Sequence, residues 1–278
     1  TLFPYTTLFR SVTVALSGDG GDEVFGGYTW YRRAWRQAAL QAALPGPLGG
    51  LARSLGSALP SKYAAYFRQL DHPPEHWRER SPYFDRTERF PLYRPEFSQS
   101  IHGYDADAHR SALIRSAADL PLLSRLQTLD LQGYLPGDIL VKVDRVSMRE
   151  SLEVRSPLLD HVVFEFMAAV PPHLKLNRQG SKWLLQQAAA DLLPDEIRSR
   201  RKRGFDVPLT TWFAGPLRPL VQEFREGPSL ALHQWLDPVA VRSVFQRGGA
   251  GSVRDSSQLW ALLCLELWAR STGFRSPA

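Results

Sequence analysis

The sequence predicts a mostly helical α/β domain with one parallel-type strand near its N terminus. Residues 12–16 form a short, apolar, β-branched run that ends abruptly at glycines, which is typical of a buried strand. Most of the chain beyond it carries apolar residues at helical spacing between prolines and glycines. Because a lone parallel-type strand is not stable, we expect its partner strands to lie upstream, in a larger domain of which this chain is a truncated part.

The helices follow the glycine-rich turn. A helix rich in Trp, Arg and Ala is predicted over 28–44, and several short helices are predicted over 50–118. The later predicted helices lie at 120–134, 138–151, 161–170, 181–192, near residue 210, and at 256–270. Pro136-Gly137 is expected to interrupt the helical stretch that it falls in.

Composition excludes several classes of protein. The 278 residues are 44% hydrophobic, enough for a sizeable core, so disorder is not expected. The net charge of +6 suits an anionic ligand such as a nucleotide but is too mild to indicate a nucleic-acid partner. No apolar run approaches the roughly 20 residues of a membrane span, and no signal-peptide pattern occurs, so we expect a soluble protein without a membrane partner.

The single cysteine, Cys264, lies in the apolar run "LWALLCLELW". We expect it to be a small buried core residue; a nucleophile is the less favoured alternative. One thiol excludes a disulfide framework and indicates a reducing cytoplasm.

The first eleven residues, "TLFPYTTLFRS", show neither helical nor strand periodicity. They resemble translated adapter sequence. We interpret residues 1–11 as a non-native prefix and expect them to pack poorly.

The string "LSGDGGDEVFGGY" covers residues 16–28. A strand that ends in glycines places backbone N–H groups around the turn, where they can bind an anion. Glycine also allows the backbone to approach a ligand closely. We therefore predict that Ser17, Gly18, Gly20 and Gly21 bind the nucleotide.

Three acids accompany these glycines. Asp22 and Glu23 fall at the start of the next helix, where carboxylates can hold Mg²⁺, which in turn holds phosphate oxygens. Asp19, on the turn itself, could contact a substrate or the metal. The alternative is a plain strand–turn–helix junction whose acids only favour the N terminus of the helix.

The whole string resembles a motif in the synthetase domain of the asparagine synthetases, the ATP-dependent class that amidates aspartate. Further blocks agree with that family in the same order: "LPGDILVKVDRVSMRESLEVRSPLLDH" (135–161), "SKWLLQQAA" (181–189) and "LPDEIRSRRKRGFDVPLTTWF" (193–213). Gln186 stands where the family commonly has Arg. The resemblance spans residues 12–213, with no sharp motif over about 30–118.

The resemblance implies an adenine-nucleotide α-hydrolase-type fold and a reaction that uses ATP and Mg²⁺. The aspartate β-carboxylate is adenylated, pyrophosphate leaves, and ammonia attacks the acyl-adenylate. Lys202 would match the family's catalytic lysine and Asp22 its metal-binding acid. Asp19 stands where asparagine synthetases carry an acid that meets the acyl-adenylate and ammonia. The related β-lactam synthetases favour Tyr there, so Asp19 indicates aspartate amidation.

The sequence allows two interpretations for several polar residues. Asp138 and Asp144 are tentative substrate-facing residues that could equally be solvated or paired. Glu153 and Arg155 are interpreted as a structural ion pair. The basic run 198–203 is interpreted as an anion-facing loop in preference to a nucleic-acid patch.

The family carries a Ser-Gly-Gly-x-Asp-Ser loop upstream of the glycine-rich motif, and the string does not occur in this sequence. We therefore expect 12–278 to be the C-terminal part of a synthetase domain and inactive alone. Ammonia would come from a glutaminase domain outside this chain, and a homodimer of the full-length protein stays open. The alternatives are another amide-forming ligase on this scaffold, β-lactam synthetase-like or peptide-cyclising, and a non-catalytic helical module with a basic loop.

The positions of three side chains would distinguish an enzyme from the non-catalytic helical module. In an enzyme, Asp19, Asp22 and Lys202 should face one cavity, with side-chain ends within roughly 10 Å, so that one metal–phosphate group could bridge them.

Overall fold

A computed structural model describes residues 12–44, 70, 72–75, 83–101, 103–105, 107–200, 207–227, 229–248 and 252–274. The predicted prefix 1–11 and Lys202 lie outside the described residues, so both predictions stay open. Two short strands are present in the described part: β1 (Val14–Leu16) and β2 (Glu153–Arg155). Short 3-10 helices cover Phe90–Leu92, Pro157–Leu159 and Ala231–Gln234, and a π-helix covers Asp130–Leu140.

The α-helices of the described residues are numbered here in chain order. They are α1 (Gly21–Phe25), α2 (Thr29–Ala43), α3 (Arg86–Arg89), α4 (Pro95–Ser100), α5 (Ala108–Ser116), α6 (Leu122–Leu129), α7 (Val141–Arg149), α8 (His161–Ala169), α9 (Pro172–Lys175), α10 (Trp183–Ala188), α11 (Asp195–Ser199), α12 (Leu209–Ala214), α13 (Arg218–Glu226), α14 (Pro238–Arg247) and α15 (Val253–Thr272). Within these ranges, no helix combines the length and apolarity that a bilayer crossing requires.

Most predicted helices are confirmed. The helices α2, α8 and α15 match those predicted over 28–44, 161–170 and 256–270. Short helices occur in the described part of 50–118, as expected, and α12 begins beside residue 210. The helix predicted over 181–192 is shorter in the structure, because α10 ends at Ala188.

The expected interruption at Pro136-Gly137 is wrong. The chain is helical without a break from the start of α6 to the end of α7, and Pro136 lies inside the intervening π-helix. Proline has no N–H to donate and its ring crowds the preceding turn of an α-helix. The wider π-turn accommodates such a residue, so the two helices predicted here form one continuous stretch.

The chain divides into two compact units. Unit 1 comprises Thr1–Arg78 and Ala106–Arg200, and unit 2 comprises Glu79–Asp105 and Arg201–Ala278. Unit 1 therefore contains the glycine-rich turn, the block at 135–161 and the block at 181–189.

Unit 1 contains a two-stranded parallel sheet formed by β1 and β2. The register pairs Val14 with Glu153 and Leu16 with Arg155. The strand β2 was not predicted, and the expectation that β1 is buried is wrong for the described residues, because Leu16 is 73% exposed. A two-stranded sheet has two edges and two faces to cover, and here neighbouring helices cover only part of them.

Helices pack around buried aromatic and aliphatic side chains in unit 1. Tyr31 and Ala34 of α2 pack with Leu123 and Leu126 of α6. The side chain of Asp130 is fully buried next to them and accepts hydrogen bonds from Trp30 Nε1 at 3.0 Å and Tyr31 Oη at 2.8 Å. The buried carboxylate thus has two donors, which joins α2 to the start of the π-helix.

Unit 2 is built around α15. Buried apolar residues of α12, α13, α14 and α15 form one cluster, which includes Leu259 and Leu263. Cys264 is exposed, so the prediction of a buried core thiol is wrong. Beyond the first turns of α15, the buried residues recur at helical spacing, at positions 259, 262, 263, 266 and 269, and Cys264 lies outside that stripe on the solvent side.

Glu266 is a buried carboxylate in this core. It accepts hydrogen bonds from the backbone N–H groups of Ala231 and Leu232 at 3.0 and 2.9 Å. It also pairs with Arg270 at 2.6 Å. Arg270 forms a second ion pair with Glu223, whose side chain is 57% exposed, at 2.9 Å.

Replacing Glu266 by Ala should destabilise unit 2 by about 3 kcal/mol, because two backbone donors lose a fully buried acceptor and the partly exposed Arg270 loses an ion-pair partner. Glu223→Ala is the matched control and should cost less than about 1 kcal/mol, because its ion pair with Arg270 is exposed. Denaturant unfolding followed by tryptophan fluorescence measures both. Similar losses for the two variants would contradict the structural role of Glu266.

Candidate active site

The glycine-rich turn begins where β1 ends. Ser17 N donates to Arg155 O at 2.8 Å, which extends the parallel ladder by one bond. Gly20 then adopts a φ of 82° as the N-cap of α1, a conformation that favours glycine. A Cβ at Gly20 would also lie 2.1 Å from Leu159 Cδ2, so this position has no room for a side chain.

A hydrogen-bonded group of three side chains forms at the turn. Ser17 Oγ donates to Asp19 Oδ2 at 2.8 Å and lies 3.0 Å from Ser156 Oγ. Since Ser17 gives its one hydroxyl proton to Asp19, Ser156 is the donor in the second contact. Ser156 belongs to the block at 135–161, so the structure brings two of the motif blocks together here.

The block at 181–189 contacts the same turn through an ion pair. Lys182 Nζ lies 3.0 Å from Asp22 Oδ1, and the two side chains are only 29% and 26% exposed. Lys182 has a left-handed backbone conformation, with φ of 56°, at the N-cap of α10. A lysine in that conformation costs on the order of 1 kcal/mol, and such strain concentrates at functional sites.

Lys182 lies in the family-like block "SKWLLQQAA" (181–189), and no role was predicted for it from the sequence. The available signal was a lysine at the start of a matched block. Its acidic partner is 160 positions away in the sequence, and only the fold identifies it.

Gly27 makes room for the ion pair. A Cβ added to Gly27 would lie 2.0 Å from Asp22 Oδ1 and 2.2 Å from Lys182 Cε, closer than real atoms approach. Gly27 N also donates to Asp22 O at 2.7 Å, which ends α1 under the pair. A side chain at the second glycine of "FGGY" would therefore displace at least one of the two charged side chains.

Glu23 is placed differently from Asp22. Its side chain is 1% exposed and accepts a hydrogen bond from Tyr28 Oη at 2.6 Å. Burial raises the pKa of the Glu23 carboxyl above its usual range. This position favours a structural role in holding α1, and a metal-ligand role for Glu23 stays a prediction.

The tentative substrate-facing acids lie at exposed positions. Asp138 is exposed on the π-helix and Asp144 is exposed on α7, and in the described part of the chain neither carboxylate forms a hydrogen bond or ion pair. Their role in binding substrate stays a prediction. Glu153 and Arg155 form the ion pair that was predicted, with 2.7 Å between Oε1 and Nε.

Among the described residues, no group of three or more His, Cys, Asp and Glu side chains is placed to hold a metal ion alone. Mg²⁺ is usually held by one or two carboxylates together with substrate phosphates and water. Asp22, half-buried beside a backbone turn rich in N–H groups, fits that donor set. The predicted closeness of Lys202 to Asp19 and Asp22 stays untested, because Lys202 lies outside the described residues.

Gly27→Ala should separate Asp22 from Lys182 and destabilise the protein by about 1–3 kcal/mol, because the new methyl group overpacks a filled space. Gly180→Ala is the matched control: a Cβ there meets nothing within 4 Å, and its cost should stay within about 0.5 kcal/mol. Thermal unfolding of both variants checks this. Equal stability of Gly27→Ala and the unsubstituted protein would contradict the packing described at the ion pair.

Comparisons with known proteins agree with the motifs. The family model described as asparagine synthase matches residues 2–270. A putative glutamine-hydrolysing asparagine synthetase of Mycobacterium tuberculosis is 32% identical over 266 residues, which is 93% of this chain and 39% of the relative. Asparagine synthetase 1 of Bacillus subtilis is 26% identical over 265 residues, 93% of this chain and 40% of the relative. The amidase chry2 of Gibberella zeae is 26% identical over 239 residues, 77% of this chain and 35% of the relative.

This chain spans about two fifths of the length of the asparagine synthetases that it matches. The family match begins within the stretch 1–11, whose non-native origin therefore stays a prediction. Because the asparagine synthase family model matches nearly the whole chain, the chain belongs to that family.

Proposed function

We propose that this chain is part of a glutamine-hydrolysing asparagine synthetase and contributes to the site where aspartate is activated by ATP. The observation that carries the proposal is the junction of three motif blocks at one turn, through the Asp22–Lys182 and Ser17–Ser156 contacts. Family membership supports the same reaction. These relatives do not favour the β-lactam synthetase-like ligase or the non-catalytic module.

The turn suits the phosphates of ATP. Gly18 is exposed, and a Cβ there would meet nothing within 4 Å, so an anionic ligand could approach the backbone of the turn at this residue. Asp22 would hold Mg²⁺, which when bound supplies positive charge to the phosphate oxygens. The ammonium of Lys182, held by Asp22, would add a further cation beside the same phosphates.

Adenylation is a displacement at phosphorus. A β-carboxylate oxygen of aspartate forms a bond to the α-phosphorus of ATP while the bond to the pyrophosphate oxygen breaks. Negative charge grows on the phosphate oxygens, and fixed cations stabilise it. We propose that Lys202 supplies that charge at the α-phosphate.

Ammonia then attacks the acyl carbon, and the bond to AMP breaks as the amide forms. The nitrogen loses a proton in this step. The Asp19 carboxylate, fixed by the hydrogen bond from Ser17, is suited to hold the incoming ammonia and accept that proton. The ammonia would come from glutamine hydrolysed elsewhere in the full-length protein, which we place in the cytoplasm.

Lys202→Ala in the full-length protein should lower kcat by at least about 100-fold, because the lysine acts on charge that develops in the transition state. Lys202→Arg should also have a low kcat, because a planar guanidinium does not replace a compact ammonium. The measurement is aspartate-dependent pyrophosphate release.

Arg201→Ala and Arg203→Ala are the matched controls, since both flank Lys202 in the same basic run. Each should lose far less activity than Lys202→Ala. Mild, equal losses at all three positions that shrink with added salt would instead indicate a diffuse basic patch.

A further inference from the structure

A cleft of about 350 Å³ opens on unit 1 between α6, α8 and α9. Its walls are mostly apolar and include Leu131, Phe164, Met167 and Val170. Its polar lining consists of Ser124, Gln127, Thr128 and Lys175. An apolar cleft with a few convergent polar groups is the usual form of a small-molecule site.

Lys175 is the unusual member of this lining. It is only 3% exposed, at the last residue of α9. In the part of the chain that the structure describes, its one hydrogen-bond partner is Gln127 Oε1 at 3.4 Å, and no carboxylate pairs with it. Burial lowers the pKa of the Lys175 ammonium below its usual range.

A buried ammonium normally has an acidic partner, because removing the charge from water is costly. Lys175 has three N–H donors, and the single contact to Gln127 is long. It therefore keeps donor capacity in the lining of the cleft, with no acidic partner among the described residues.

Gln127 cannot turn to serve Lys175 better. Its Nε2 donates to Glu23 O at 2.5 Å and Val24 O at 2.8 Å, which uses both of its N–H groups on the backbone of α1. The amide is thus fixed, and only its oxygen is left for the lysine.

Ser124 provides a second open donor. Thr128 Oγ1 donates to Ser124 O at 2.9 Å, so the threonine hydroxyl proton is already used. The Ser124 hydroxyl forms no hydrogen bond with any residue that the structure describes. Since both line the cleft, Ser124 and Lys175 are the side chains there with donors to offer.

We propose that this cleft binds a small carboxylate with an apolar body. The carboxylate accepts hydrogen bonds from Lys175 and Ser124, and the body packs against Phe164 and Met167. A single cation and a single hydroxyl match a carboxylate better than a phosphate, which needs more donors to leave water. The proposal does not depend on the proposed synthetase reaction, because Lys175 and Ser124 are not part of that site.

The test uses hexanoate as the probe and hexan-1-ol, of equal chain length without the charge, as its control. Binding to the unsubstituted protein is measured by titration followed by NMR, with the ¹³Cε signal of Lys175 as the reporter. Hexanoate should bind and shift this signal, and hexan-1-ol should bind at least about tenfold more weakly, because it lacks the charge-assisted contact.

Lys175→Met keeps the length of the side chain and removes the charge. It should weaken hexanoate binding by about tenfold or more. Lys142→Met is the matched control, since Lys142 is an exposed lysine on α7 in the same unit, and it should bind hexanoate as the unsubstituted protein does. The comparison of hexanoate with hexan-1-ol needs no variant and stands even if Lys175→Met fails to fold.

Two results would overturn the proposal. One is hexan-1-ol binding as tightly as hexanoate, or hexanoate leaving the Lys175 signal unmoved. The other is Lys175→Met binding hexanoate as tightly as Lys142→Met.

Discussion

The ion pair between Asp22 and Lys182 joins the helix after the glycine-rich turn to the segment that opens α10. Two features of the local structure accompany this pair. Gly27 must lack a side chain to leave it room, and Lys182 holds a left-handed backbone conformation while it contacts Asp22. A partly buried pair is less screened than a surface one, so the two charges hold each other in a defined place. The proposed phosphate site would need that order, because catalysis by fixed charges depends on their positions before the reaction begins.

The helix α1 has only five residues, so its own hydrogen bonds cannot hold it. Its neighbours do so instead. Gln127 caps two of its carbonyl groups, Tyr28 binds the buried carboxylate of Glu23, and Leu159 packs against Gly20. These contacts hold α1 in place, and the side chain of Asp22 is half-buried beside them. The two adjacent acids of the motif are placed differently: Glu23 is buried and accepts a hydrogen bond from Tyr28, whereas Asp22 is half-buried and paired with Lys182.

The sequence was informative where a pattern was long or local. A stretch rich in Trp, Arg and Ala predicted α2, a long apolar run predicted α15, and the motif predicted a turn with a helix after it. The sequence did not predict strands and contacts that depend on residues far apart in the chain. The strand β2 is three residues long with charged ends, too short for periodicity to show, and the turn's partners Ser156 and Lys182 are over a hundred positions away. Pro136 predicted a break in the helix, because the π-turn that accommodates it is rare. Cys264 was predicted to be buried, but an apolar run does not show which of its residues face the core.

We propose that Asp22 and Lys182 act as one unit in holding the phosphates of ATP. A double-mutant cycle on the full-length protein tests it most directly, with Asp22→Asn, Lys182→Met and the double variant, and with the dissociation constant of Mg²⁺–ATP measured by calorimetry. The account predicts that each single change weakens binding and that the double change weakens it by at least about 1 kcal/mol less than the sum. Effects that add within about 0.5 kcal/mol would contradict the account, because they would mean that the two charges act separately.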